Sequence, residues 1–128
     1  MSDQSQPRFI LFKLVVADIA AAIAFYQQVF GFSVRRRIEG PGFFEVLLEQ
    51  APGGFTLVLY QHRDGRPIEV GSAYGPLGFV VADIAAEIAR SLAAGARLIE
   101  GPVEFEGLQL AFLTDPDGHE IELIEVRG

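Results

Sequence analysis

Few of these 128 side chains can do chemistry beyond solvation. Lys13 is the only lysine, His62 and His119 are the only histidines, and there is no cysteine. A lone lysine in the alternating run Leu11-Phe12-Lys13-Leu14-Val15 can hold a carboxylate or an anionic ligand. A histidine can serve as general base near neutral pH or ligate a metal ion. Glu122, between Ile121 and Leu123, can act as ligand, base or partner to a cation. Without cysteine, disulfides, thiolate metal sites and cysteine nucleophiles are excluded, and the redox compartment is left open.

The period of a strand decides which of these groups can meet. Phe12, Leu14 and Val16 fall on one face and Leu11, Lys13 and Val15 on the other. By the same rule Glu122 faces away from Ile121 and Leu123, together with Glu120 and Ile124. If the first faces lie under helices, Lys13 and Glu122 both look into a cavity, where they can pair or hold a polar ligand between them. Breaking a buried pair of that kind costs about 3–5 kcal/mol; the plainer reading of Lys13 is a surface lysine with an apolar stem. Tyr60 and His62 share a face with Val58, which offers His62 as a base or substitute ligand. A histidine opening a polar linker is ordinarily a surface residue. His119 follows Asp115-Pro116-Asp117-Gly118, a strong turn, and its expected role is turn packing or solvent exposure.

The elements that must position these groups come from one phrase written twice. Residues 15–24 read VVADIAAAIA and residues 80–89 read VVADIAAEIA, an offset of 65. In each copy an apolar run reaches an aspartate, Asp18 or Asp83, which caps a helix. The first copy predicts a strand over about 8–17, a helix over 19–30 stopped by Gly31, and strands over 32–38, 43–50 and 55–61. The turn clusters Gly40-Pro41-Gly42 and Pro52-Gly53-Gly54 separate those strands. The second predicts a strand over 77–81, a helix over 84–94 stopped by Gly95, and strands over 97–100, 109–114 and 120–126, with 101–107 a loop or ragged strand. Module one thus spans about 8–61, a polar linker 62–75 and module two about 76–127, within a single domain of α+β class.

Half of the residues are hydrophobic, enough for a real core. The net charge of −7 argues against nucleic acid or anionic membrane as partner and would welcome a cationic small molecule. The opening residues carry no apolar signal segment, and both long apolar runs are broken by an aspartate, so the expected location is the cytoplasm. Phe43, Phe44, Phe55, Tyr60, Phe105 and Phe112 could line an apolar cavity, although most would serve an ordinary core. Arg35, Arg36 and Arg37 alternate across a strand, which reads as a charged edge. The acidic run Glu100, Glu104, Glu106 reads as a solubilising loop. No phosphate loop, GxSxG or HExxH is present, so nucleotide use and serine or zinc hydrolysis have no support.

The tandem βαβββ order, with VVADIAAAIAFYQQVFGF in the first module and DPDGHEIELIE closing the second, resembles the vicinal oxygen chelate superfamily. That group includes glyoxalase I, bleomycin resistance proteins, fosfomycin-modifying enzymes and extradiol dioxygenases. The resemblance implies curved mixed sheets around a cavity, helices on the convex side, and four side chains holding a divalent metal ion. The implied positions fall on Leu11, Val58, Pro76 and Glu122, of which only Glu122 is a donor. It also implies that Arg35 or Arg37 could grip a carboxylate if the ligand were a glutathione adduct. The expectation is therefore a small-molecule-binding protein of the bleomycin resistance type, needing no cofactor and sequestering a cationic or aromatic ligand as a homodimer. Its expected ligand-binding residues are Lys13, Glu122, Tyr60, His62 and Arg35. The alternatives are a metal-dependent, glyoxalase I-like lyase acting on a glutathione adduct, and a non-catalytic regulatory module.

Overall fold

The computed structural model describes residues 6–127. Ten elements follow one another: β1 (Leu11–Val15), α1 (Ile19–Phe30), β2 (Ser33–Glu39), β3 (Phe43–Glu49), β4 (Thr56–His62), β5 (Leu77–Val80), α2 (Ile84–Ala93), β6 (Arg97–Phe105), β7 (Leu108–Thr114) and β8 (Glu120–Val126). They form two four-stranded mixed sheets with strand orders β1-β4-β3-β2 and β5-β8-β7-β6. The first strand of each module lies parallel to the last, and the other neighbours are antiparallel. This is the paired βαβββ architecture that the repeat predicts.

The repeated aspartates set the helix starts. Asp18 accepts a hydrogen bond from the Ala21 amide and Asp83 one from the Ala86 amide, both at 3.1 Å. The next orphan amide is taken from the strand behind: Ile19 N–H donates to Gln61 Oε1 and Ile84 N–H to Glu125 Oε1, each at 2.8 Å. Each helix is thereby tied at its first turn to the last strand of its own module. Gly31, at φ 70°, closes α1 in the left-handed conformation that a residue without Cβ adopts cheaply.

Strand parity follows the sequence reading. Leu14, Val16, Val46, Leu48, Leu57 and Leu59 are buried against Ile23, Phe25, Tyr26 and Val29 of α1. In module two Ala111, Leu113, Ile121 and Leu123 are buried with Ile84 and Ile88 of α2. Each such aliphatic side chain contributes about 1.5–3 kcal/mol when fully buried. The modules meet where Phe30 stacks on Phe79, ring centroids 3.9 Å apart and planes within 5°. The opposite face of each sheet carries the polar candidates, although Val58 is buried there beside Lys13.

One element differs from expectation. β1 is shorter than 8–17: its register with β4 runs from Leu11 to Val15, and the side chains of Phe9 and Ile10 before it are exposed. β6 runs through residues 101–105 as the ragged strand of the two readings, with register shifts after Leu98 and Glu100 that take up its glycine and proline. A Cβ at Gly101 would lie 2.5 Å from the Leu110 carbonyl, so the close approach of β7 requires glycine there. No helix among the described residues is long and apolar enough to cross a membrane.

Candidate functional site

On the open face of the first sheet, Lys13 Nζ lies 2.6 Å from Glu45 Oε1 and 5.1 Å from the centroid of the Tyr60 ring. Phe43 stacks on the other side of this array, 5.2 Å from Tyr60, and His62 meets Tyr60 edge-on at 5.1 Å. The register explains the grouping. Lys13 pairs with Val58 across β1 and β4, while Glu45 pairs with Tyr60 and Phe43 with His62 across β3 and β4. The Lys13 side chain is 44% exposed, so solvent screens the ion pair, and a pair of this kind contributes at most about 1 kcal/mol.

Lys13 and His62 also line a groove of about 410 Å³ along β1. It is also lined by the linker, from Arg66 to Val70 and at Tyr74 and Gly75, and by His119 and Glu120 at the entry to β8. Phe12 and Tyr74 meet edge-on at the groove, 6.1 Å apart. Both histidines of the chain thus border one concavity, together with basic and acidic side chains.

The Lys13–Glu122 ion pair expected from parity is not formed. Parity fixes a face, and both residues do lie on faces turned from the helices, but they belong to different sheets. Glu122 sits between Gly78 and Phe112 in the second sheet, while the carboxylate that reaches Lys13 is Glu45. Arg35 also lies away from the groove, 3.6 Å from Glu49 and 3.4 Å from the Thr56 hydroxyl. Tyr60 and His62 are brought to Lys13. Among the implied metal positions, Val58 is buried under its neighbours, and Leu11, Val58 and Pro76 offer no donor atom.

The sequence reading missed Glu45 and the role of Asp115. Asp115, 3% exposed, collects donors around the turn before β8. Its Oδ1 accepts from the amides of Asp117 at 3.0 Å and His119 at 2.9 Å. Its Oδ2 accepts from the Tyr26 hydroxyl at 2.7 Å and lies 2.9 Å from His119 Nδ1. Asp117 Oδ1 accepts from the Ala17 amide at 3.2 Å, a second bond from this turn to module one. Burial alone would raise the Asp115 pKa, but the hydrogen bond and charge of His119 outweigh it and hold the carboxyl below its ordinary value. Burial would lower His119, and Asp115 reverses that, so the imidazole is pushed up. Burial, followed by the Asp115 charge, drives the Tyr26 hydroxyl well above its usual range. The DPDG turn followed by histidine was the available signal for this cluster.

The expectation that the chain needs no cofactor is corrected at this turn. Asp115, Asp117 and His119 place one donor atom each within 4.8 Å of one another, a set that could hold a metal ion. Two carboxylates and an imidazole suit a divalent cation of the zinc, nickel or manganese type. Because Asp115 already serves Tyr26 and His119, an ion there would compete with those hydrogen bonds.

A profile of the Glyoxalase/Bleomycin resistance protein/Dioxygenase superfamily matches residues 8–123. The chain is 33% identical over 118 residues to the lactoylglutathione lyase of Haemophilus influenzae, covering 88% of this chain and 87% of that protein. It is 34% identical over 127 residues to a probable lactoylglutathione lyase of Vibrio cholerae, covering 94% of this chain and 92% of the relative. Among solved structures, the trypanothione-dependent glyoxalase I of Leishmania major superposes with a TM-score of 0.82 at 25% identity, covering 94% of this chain and 87% of that one. A glyoxalase family protein of Bacillus cereus reaches 0.84 at 20% identity, covering 100% and 99%, a likeness of fold alone. With the repeated module, the strand order and this end-to-end match in agreement, the chain belongs to the glyoxalase/bleomycin resistance protein/dioxygenase superfamily.

Proposed function

We propose that this chain is a glyoxalase-type lyase, acting on the hemithioacetal formed between a 2-oxoaldehyde and a thiol peptide such as glutathione. The reading is carried by the match to lactoylglutathione lyases, near a third identical and covering 88% and 94% of this chain and 87% and 92% of the two relatives. The reaction is an isomerisation. A base removes the proton from the carbon that bears sulfur, and the proton returns to the neighbouring carbon, leaving a 2-hydroxyacyl thioester with no net oxidant consumed. Glu122, on the open face of the second sheet between Gly78 and Phe112, is the carboxylate proposed to carry that proton. Lys13 and Tyr60 lie on the other sheet and do not reach Glu122 within one chain, so they are proposed to orient the adduct from a facing subunit, with His62 bounding it, while Arg35, held by Glu49, is left out of the site.

The divalent ion that the resemblance implies does not fit at Leu11, Val58 and Pro76. Asp115, Asp117 and His119 are the residues of this chain that would hold one. When bound, such an ion supplies Lewis-acid polarisation of the ligand's oxygens. The chain is proposed to act as a homodimer, which would cover the open faces left by one chain, where Val80 is 75% and Val126 68% exposed. A second reading, capture of a small molecule without turnover, is favoured by the apolar residues at those three positions.

The test is a hemithioacetal isomerase assay on chelator-treated protein, alone and with nickel, cobalt or zinc added. Thioester formation that is lost in Glu122→Gln supports the lyase reading. Retained binding of the adduct with no thioester under any condition would replace it with the capture reading.

A further inference from the structure

The groove beside β1 has a wall that its side chains do not describe. Among the described residues β1 is the edge strand of its sheet, hydrogen-bonded to β4. The Thr56 amide donates to the Ile10 carbonyl at 3.0 Å and the Val16 amide to the Tyr60 carbonyl at 2.8 Å, so even-numbered residues of this strand serve β4. Neighbouring residues in a strand direct their N–H and C=O groups to opposite sides. Leu11, Lys13 and Val15 therefore present theirs to the other edge, where the groove lies. His119 borders the same groove as Val15. Among the described residues, the outward backbone groups of Lys13 and Val15 meet no backbone partner and form a short, open ladder.

An edge of this kind is a template for another extended chain. Its surroundings narrow what that chain must be. Lys13, His62 and Arg66 border the groove with positive or protonatable groups, and Glu69 and Glu120 border it with carboxylates. Charges of both signs suit a ligand that carries both. A volume of about 410 Å³ admits a few residues and not a long segment.

We propose that the groove takes a short extended peptide with a free carboxylate and a free ammonium group, added as a fifth strand on the open edge of β1. Main-chain bonds to Lys13 and Val15 supply register, and the flanking charges orient the two ends. The identity of the peptide as a thiol peptide rests on the lyase reading above, while the mode of binding does not.

Calorimetric titration with glutathione, and with glutathione methylated on both amide nitrogens, tests this on the unaltered protein. Saturable binding of glutathione that is roughly three- to tenfold weaker for the methylated peptide is expected, the effect of losing one or two main-chain hydrogen bonds. No saturable binding of glutathione, or equal binding of both peptides, overturns the proposal. Val15→Pro, which removes an outward amide and leaves the β4 bonds in place, is expected to match the loss given by methylation, with Val15→Ala as control. If Val15→Pro does not fold, the methylated peptide still decides. Methylation-sensitive binding without hemithioacetal turnover would sink the lyase reading alone. Turnover with methylation-insensitive binding would sink the added strand alone.

Discussion

The Tyr26 hydroxyl donates to Asp115 Oδ2 at 2.7 Å, joining the helix of module one to the last turn of module two. Both residues are buried, so neither can turn to water if the other is removed. Tyr26→Phe keeps the ring packing against Phe25 and Phe32 and leaves a buried carboxylate one donor short. The expected cost is about 1.5–3 kcal/mol in chemical denaturation. Tyr60→Phe, at a half-exposed position, should cost well under half of that, and equal losses would show that the bond between modules is not special.

The same cluster predicts a pH window. His119 is raised in the folded chain, so its contribution is fully present below its unfolded pKa and lost as pH rises through the higher folded value. Asp115 is lowered, so its contribution is present above the unfolded carboxylate value and lost as pH falls through the folded one. In chelator-treated protein, stability from this pair should peak between roughly pH 4 and 6.5 and decline on either side. His119→Gln should flatten the alkaline limb of the melting curve against pH. An unchanged alkaline limb would assign that slope to other groups.

Lys13 should be coupled to Glu45 and not to Glu122. A double-mutant cycle with Lys13→Met and Glu45→Gln is expected to return roughly 0.5–1 kcal/mol, reduced by added salt, because the lysine is partly solvated. The cycle with Glu122→Gln should return nothing in the monomer. Coupling to Glu122 that grows with protein concentration would mean that the two residues meet across chains.

Zinc or nickel added to the chelator-treated protein should bind with an affinity that rises with pH, since His119 must lose its proton to become a ligand. Asp117→Asn, which keeps the shape of the turn, should weaken uptake by an order of magnitude or more. Calorimetric isotherms that are the same for wild type, Asp117→Asn and His119→Gln would remove this turn from consideration as a metal centre.

Much of this architecture was legible because the chain repeats itself. The period of two placed Leu14 and Val16 under α1 and Lys13 opposite, and Asp18 and Asp83 marked both helix starts within a residue. The partners of the site were not legible for a definite reason. Alternation says which face a side chain takes, but the neighbour of Lys13 depends on the strand order β1-β4-β3 and on a register set by loops, and nothing in the run FFEVLLE marks Glu45 as its partner. The sequence marks Asp115 as a turn former, which it is. Its second task, receiving a tyrosine 89 residues away, follows from packing that no local pattern encodes.

The duplication is also unequal at one point. At the offset of 65 the position of Tyr26 is taken in α2 by Ser91, buried, with a hydroxyl that meets no hydrogen-bond partner among the described residues. One helix is moored to the opposite half and its twin is not. Under native conditions amide protons of α2 should therefore exchange with solvent sooner than those of α1, and the later half of the chain should be the first to loosen on heating.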